Sequence, residues 1–264
     1  YLFSAGMGDK IGYFYAMQGV VALFMPALMG IVADRWIPAQ KLLAGCHLLS
    51  ALFKSAMGYV ALSATGMVSD EYPTMILLYA LSVAFFMPTL ALSNSVSYTA
   101  LESVKLDPVK SFGTIGFVCT MILTDVMGFQ ASPNQFFLSA ALGLVASGYA
   151  LTLPACPVSN QPRSKSLTEA LGLNAFSLFK QRKMALFFLF SVLLGVALQI
   201  TNGFANPYLN SFASLPEYAD TFGVKHANVL ISLSQLSETF CLLLIPFALK
   251  RFGIKYVMLI AMCC

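Results

Sequence analysis

The chain has 264 residues, 58% of them hydrophobic and only 10% charged, with a mean hydropathy of +0.78. That composition lies well outside the range of soluble globular domains and identifies a membrane protein. The net charge of +4 is modest and, as the loops below show, reflects topology, so it gives no reason to expect a nucleic-acid partner.

In chain order, Tyr1 to Phe3 read as the end of an earlier helix, because the chain lacks a starting Met and opens next to the short polar loop SAGMGDK. Apolar runs of the length that crosses a hydrocarbon core of roughly 30 Å then follow at 11–33, 41–63, 74–98, 112–129, 135–154, 184–206 and 225–249. Tyr256 to Cys264 read as the start of a further helix, and the sequence as a whole reads as part of a longer protein.

Orientation follows from the basic residues. One set of loops holds Arg35, Lys41, Lys105, Lys110, Arg163, Lys165, Lys180, Arg182, Lys183, Lys250, Arg251 and Lys255; the other holds only Lys10 and Lys225. The first set is therefore cytoplasmic, with VSDEY and PEYAD on the outside. A multi-pass protein of the cytoplasmic (inner) membrane is expected, surrounded by lipid.

The cysteines, Cys46, Cys119, Cys156, Cys241, Cys263 and Cys264, show no CxxC pair and read as small core side chains. His47 and His226 have no companion ligand at metal-binding spacing, and GxSxG, HExxH and a phosphate-binding glycine loop are all missing from the sequence. No metal, no cofactor and no enzymatic chemistry are expected.

An internal repeat narrows the class. GIVADRWIPAQK, Gly30 to Lys41, follows the first full span, and PFALKRFGIK, Pro246 to Lys255, follows the last, with Asp34-Arg35-Trp36 aligning on Lys250-Arg251-Phe252. Both loops are cytoplasmic and five spans separate their helices, as two six-helix repeats require. A charged turn obeying the positive-inside rule is the plainer alternative. Gly30, Asp34, Arg35 and Lys41 resemble the loop motif of the major facilitator superfamily, whose acid pairs across neighbouring helices to latch one conformation. The match is partial, since Pro38 and Ala39 stand where that motif carries glycine and a basic residue.

The domain organisation expected is a first transmembrane half at 1–154, a cytoplasmic linker at 155–183 and the start of a second half from 184 to 264. The linker begins as a Pro/Ser/Asn tract, and LTEALGLNAFSLFK after it is amphipathic enough to lie along the membrane surface.

Polar side chains within spans are costly unless they meet partners or water, so each marks a candidate site. GVALQITNGFANPYLN places Gln199, Asn202 and Asn206 on one helix face, and SLSQLSETF places Ser232, Gln235 and Glu238 or Thr239 on another. Interhelical hydrogen bonding alone explains amides of this kind. It explains Glu238 less well, because a charge at mid-depth costs roughly 2.5 kcal/mol or more where a neutral amide would join helices more cheaply. In FGTIGF, Gly113 and Gly116 favour close helix packing, while Thr114 offers a hydroxyl and Phe117 a ring one turn on. Lys54 is a second charge near mid-depth, and its long stem leaves its destination open.

WIPAQK with GxCHLLSA after it, LALSNSVSY, LDPVK followed by FGTIGF, QITNGFANPYL and SQLSETF are spread through the whole chain. In combination they resemble the nucleoside:proton symporter family within the major facilitator superfamily. The resemblance implies an all-α membrane protein with a major facilitator helical bundle, of which the chain supplies the end of helix 1, helices 2–8 and the start of helix 9 of twelve. It implies a monomer that imports nucleosides with protons by alternating access. It also implies a substrate site drawing on Thr114, Phe117, Gln199, Asn202, Gln235 and Glu238, with Glu238 the proton-coupling candidate. In the family an arginine after a proline pair precedes the Phe-Gly-Thr, whereas here Lys110-Ser111 runs straight into Phe112. Either Lys110 substitutes for that arginine or residues are missing between Ser111 and Phe112, and the second reading is preferred. Amides suit ribose hydroxyls and base edges, and a ring such as Phe117 suits a base face. A porter of sugars or another small polar solute shares these traits, and a non-transporting receptor or scaffold would use Glu238 only as a structural partner.

Overall fold

A computed structural model describes residues 1–64, 68–100, 106–156 and 173–263, without the side chains of 106–111, 173–176, 242, 262 and 263. The linker residues 157–172, with Arg163 and Lys165, and the side chains of Lys105 and Lys110 lie outside this description. Among the described residues regular structure is entirely helical: α1 (Ile11–Arg35), α2 (Ala39–Ser63), α3 (Tyr72–Ala100), α4 (Leu106–Val126), α5 (Asn134–Ala150), α6 (Arg182–Ser211), the short α7 (Phe222–Lys225) and α8 (Ala227–Cys263), with brief 3-10 turns between them. Each of the seven apolar runs falls on one long helix.

The boundaries differ most at α4, which begins at Leu106 rather than near 112. Pro108 sits in its first turn, where a missing N–H costs nothing because that donor has no intrahelical partner. Asp107-Pro108-Val109-Lys110 is thus helix, not loop.

By length and composition, three helical stretches among the described residues are each long and apolar enough to cross a membrane: Gly8–Arg35, Val68–Ala100 and Arg182–Ser214. A bent pair, Ala227–Cys241 and Leu243–Ala261 at 47°, makes a fourth if counted as one span. α2 falls short because its Ser, His and Lys side chains lower its mean hydropathy. It packs along both α3 and α5, and α1 packs on α3.

The chain forms two compact units that do not follow chain order. One comprises Tyr1–Glu102 and Ala131–Pro207, the other Ser103–Gln130 and Tyr208–Cys264. The first holds two cores. Ala33, Leu43, Ala44, Cys46, Leu92 and Val96 are buried in one, and Phe14, Met57, Ala61 and Met75 in the other. The small residues of the first core let helix backbones approach, and polar groups join them there. Ser147 Oγ donates to the Ala44 carbonyl at 2.8 Å, and the Cys156 N–H donates to Gln40 Oε1 at 3.0 Å. In the second unit α4 packs along α8.

α8 contains a break. Gly253 has φ +72° and ψ 163°, so the run Ala227–Cys263 is two helices meeting there, within the PFALKRFGIK loop. An L side chain in such a conformation costs roughly 1–3 kcal/mol. Gly253→Ala is therefore expected to lower the melting temperature of the purified protein. Gly45→Ala, where an added Cβ meets nothing within 4 Å and the backbone is helical, is expected to leave it level or raise it. Equal melting temperatures for the two variants would remove the strain argument.

Candidate functional site

Four of the six candidate residues lie in the second unit, on two helices that pack together. Thr114 is half-buried and Phe117 is 52% exposed on α4. On α8 burial declines along the polar stripe: Ser232 is 2% exposed, Gln235 half-buried and Glu238 exposed. Ser232 Oγ donates to the Val229 carbonyl at 2.7 Å, and Thr239 Oγ1 donates to the Gln235 carbonyl at 3.0 Å. Both hydroxyls are thus satisfied by their own helix, which leaves Gln235 and Glu238 as the stripe's available groups. Among the described residues Glu238 makes no ion pair.

Gln199 and Asn202 lie in the first unit, on α6, and both are exposed. Gly203 between Asn202 and Phe204 is buried against the Tyr15 ring, whose hydroxyl donates to the Gly203 carbonyl at 2.7 Å. Within its own unit, none of the side chains of Gln199, Asn202 and Gln235 hydrogen-bonds another helix among the described residues.

The loop-motif residues sit at the junction of α1 and α2, three residues apart in chain at Trp36, Ile37 and Pro38. Asp34 is exposed and Arg35 half-buried at the end of α1, Gly30 lies within it, and Lys41 is exposed in the first turn of α2. Asp34 makes no ion pair among the described residues.

A second polar group went unassigned in the sequence. Lys54, within a turn of the midpoint of α2, donates from Nζ to Ser139 Oγ at 3.0 Å and lies 4.7 Å from the centre of the Phe86 ring. Beside it is a cavity of about 310 Å³ that Gln18, Tyr79 and Gln135 also line, and the Tyr79 hydroxyl donates to Gln18 Oε1 at 2.9 Å. Its depth marked Lys54 in the sequence, but its partners on two other helices, Ser139 of α5 and Phe86 of α3, had no local signal. Asp125 was missed, and His226 was weighed only as a metal ligand: Asp125 Oδ2 meets His226 Nδ1 at 2.8 Å, and Gln130 Nε2 donates to Asp125 Oδ1. Among the described residues no three metal-ligating side chains gather.

The family described as "Nucleoside H+ symporter" matches residues 1–264. The chain belongs to that family. Among this chain's relatives, the xanthosine permease of Escherichia coli (strain K12) is 44% identical over 261 residues, which cover 97% of this chain and 60% of the relative. The nucleoside permease NupG of the same organism is 42% identical over 260 residues, 96% of this chain and 60% of that one. The crystal structure of a point mutant of nucleoside transporter NupG superposes with a TM-score of 0.84 at 40% identity, covering 97% of this chain and 63% of that chain. A second NupG structure gives 0.76 at 42% identity, covering 95% and 61%. The chain thus spans about 60% of the length of the relatives it matches. Its fold is that of these transporters, a major facilitator helical bundle of which it supplies a part.

Proposed function

We propose that the protein imports nucleosides across the cytoplasmic membrane together with protons, by alternating access between two halves that meet at residues 155–183. The family match along the whole chain carries this reading. The chemistry of these polar groups supports it. Gln199 and Asn202 on α6 and Gln235 on α8 offer both donors and acceptors to ribose hydroxyls and base edges. Phe117 offers a ring to the base, Thr114 a hydroxyl, and Glu238 a carboxylate that accepts a hydroxyl or a proton. Binding near the bilayer midplane by side chains from both repeats is how transporters of this architecture hold cargo.

Purified full-length protein in liposomes is expected to accumulate labelled uridine or adenosine when an inward proton gradient is imposed. Excess unlabelled nucleoside should compete, and free bases and hexoses should not. Competition by hexoses with none by nucleosides would replace this reading with that of a sugar porter.

A further inference from the structure

In each unit a polar side-chain contact joins a helix of the first half to a helix of the second, and both contacts lie toward the outer side. In one unit, Tyr15 in the second turn of α1 packs its ring on Gly203 of α6 and donates to its carbonyl at 2.7 Å. In the other, Asp125 in the last turn of α4 holds His226, which directly precedes α8, at 2.8 Å. α1 ends and α6 begins at cytoplasmic basic residues, and α4 begins near Lys105 and Lys110, so the partnered ends are the outer ones.

The Asp125 site is built rather than incidental. α4 closes with Gly128 at φ +68°, with the Phe129 N–H donating to the Thr124 carbonyl at 3.0 Å and the Gly128 N–H to the Asp125 carbonyl at 2.9 Å. That glycine cap ends the helix within one turn of Asp125 and turns the chain back so that Gln130 reaches the carboxylate. An acid in the last helical turn faces the negative end of the helix dipole, so it is electrostatically misplaced unless a donor meets it. Its side chain is only 4% exposed, while that of His226 is 45% exposed and its ring leans on Phe222 at 4.9 Å. The other charged groups beside it, Lys225 and Asp220, pair with each other at 3.0 Å.

We infer that Asp125 and His226 form an outer latch, made when the substrate path is shut to the outside and broken when it opens, with Tyr15 on Gly203 as a second clasp. This rests on the alternating-access reading above. Rocking of one repeat against the other must make and break contacts between halves at each end in turn. A single charge-assisted bond to an exposed imidazole is strong enough to hold a packed helix end and local enough to be released.

The test uses full-length protein without native cysteines. Asp125→Cys and His226→Cys, joined by a short bis-methanethiosulfonate cross-linker, are expected to cut nucleoside uptake at least tenfold, with recovery on reduction to the level before cross-linking. Full cross-linking with undiminished uptake would overturn the latch, and so would failure to cross-link, since helix ends that meet lie within the linker's reach. A second arm does not depend on the cargo. Ser232→Cys, buried two turns inward of His226 on α8, should react about fivefold faster with a membrane-impermeant maleimide from outside when His226→Ala or Asp125→Ala is added. The two changes together should give no further gain, because they remove one bond. Unchanged labelling would overturn the latch even if nucleosides prove to be the substrate, and faster labelling would support it even if they do not.

Discussion

Glu238→Gln is expected to abolish proton-driven accumulation of nucleoside while leaving substrate exchange in the absence of a gradient within a few-fold of the parent. The substitution keeps the shape and one hydrogen-bond acceptor and removes the titration. A carboxylate near the middle of a span costs roughly 2.5 kcal/mol or more, against far less for an amide, so its presence calls for a task that an amide cannot do. In the structure Glu238 makes no ion pair among the described residues, its neighbour Thr239 bonds its own helix, and its side chain is exposed at the end of a stripe that begins buried at Ser232. Proton coupling requires that the group bind a proton with different affinity in the inward- and outward-open states, and protonation then biases the equilibrium between them. A carboxylate whose surroundings change as the path opens meets that requirement. The check is paired: accumulation of labelled uridine under an imposed pH gradient, and counterflow without one. Unchanged accumulation with an unchanged pH profile would make Glu238 structural and place coupling elsewhere in the protein.

What could be read in the sequence follows from the range of the signals. The seven long helices were legible because an apolar run of about 20 residues is a local property, and each run falls largely on one helix, although among the described residues only three stretches, or four with the bent pair, are long and apolar enough to cross a membrane. The spacing of three and four that placed Gln235 and Glu238 on one face is also local, though it did not reveal that burial falls away between Ser232 and Glu238. The start of α4, read at 112 from the apolar run, came at Leu106 because the first helical turns carry Asp107 and Lys110 and so give no apolar signal. The end of α4, placed at 129 by hydropathy, came at Val126 because Gly128 caps it with positive φ, which an apolar Met127 and Phe129 conceal. The pairings were illegible for another reason. Asp125 and His226 are 101 residues apart and Lys54 and Ser139 are 85 apart, and periodicity carries no information at that separation. Nor did chain order suggest that α4 and α8, from different halves, would fall in one compact unit.

Lys54→Met is expected to leave the protein folded, with a melting temperature equal to or above the parent's, and to lower nucleoside uptake at least tenfold. The unbranched methionine fills nearly the same volume and can lie along the same stem path, so packing around Met57 and Phe86 is kept. What is lost is the charge, the 3.0 Å hydrogen bond to Ser139 and the cation held 4.7 Å from the Phe86 ring. Lys54 makes no ion pair among the described residues, so removing it strands no acid there, and a half-buried charge without a counter-ion inside a span is a burden on stability rather than a support. A burden of that kind at the midpoint of α2, beside a cavity of about 310 Å³ that Gln18, Tyr79 and Gln135 share, points to a role in the transport cycle. Ser139→Ala removes only the acceptor and should reduce uptake two- to threefold, since the Phe86 ring still holds the ammonium. Thermal melts in detergent and uptake per folded molecule in liposomes separate the outcomes. A melting temperature several degrees lower in Lys54→Met, with uptake per folded molecule unchanged, would assign Lys54 to the architecture of the bundle and remove it from the transport cycle.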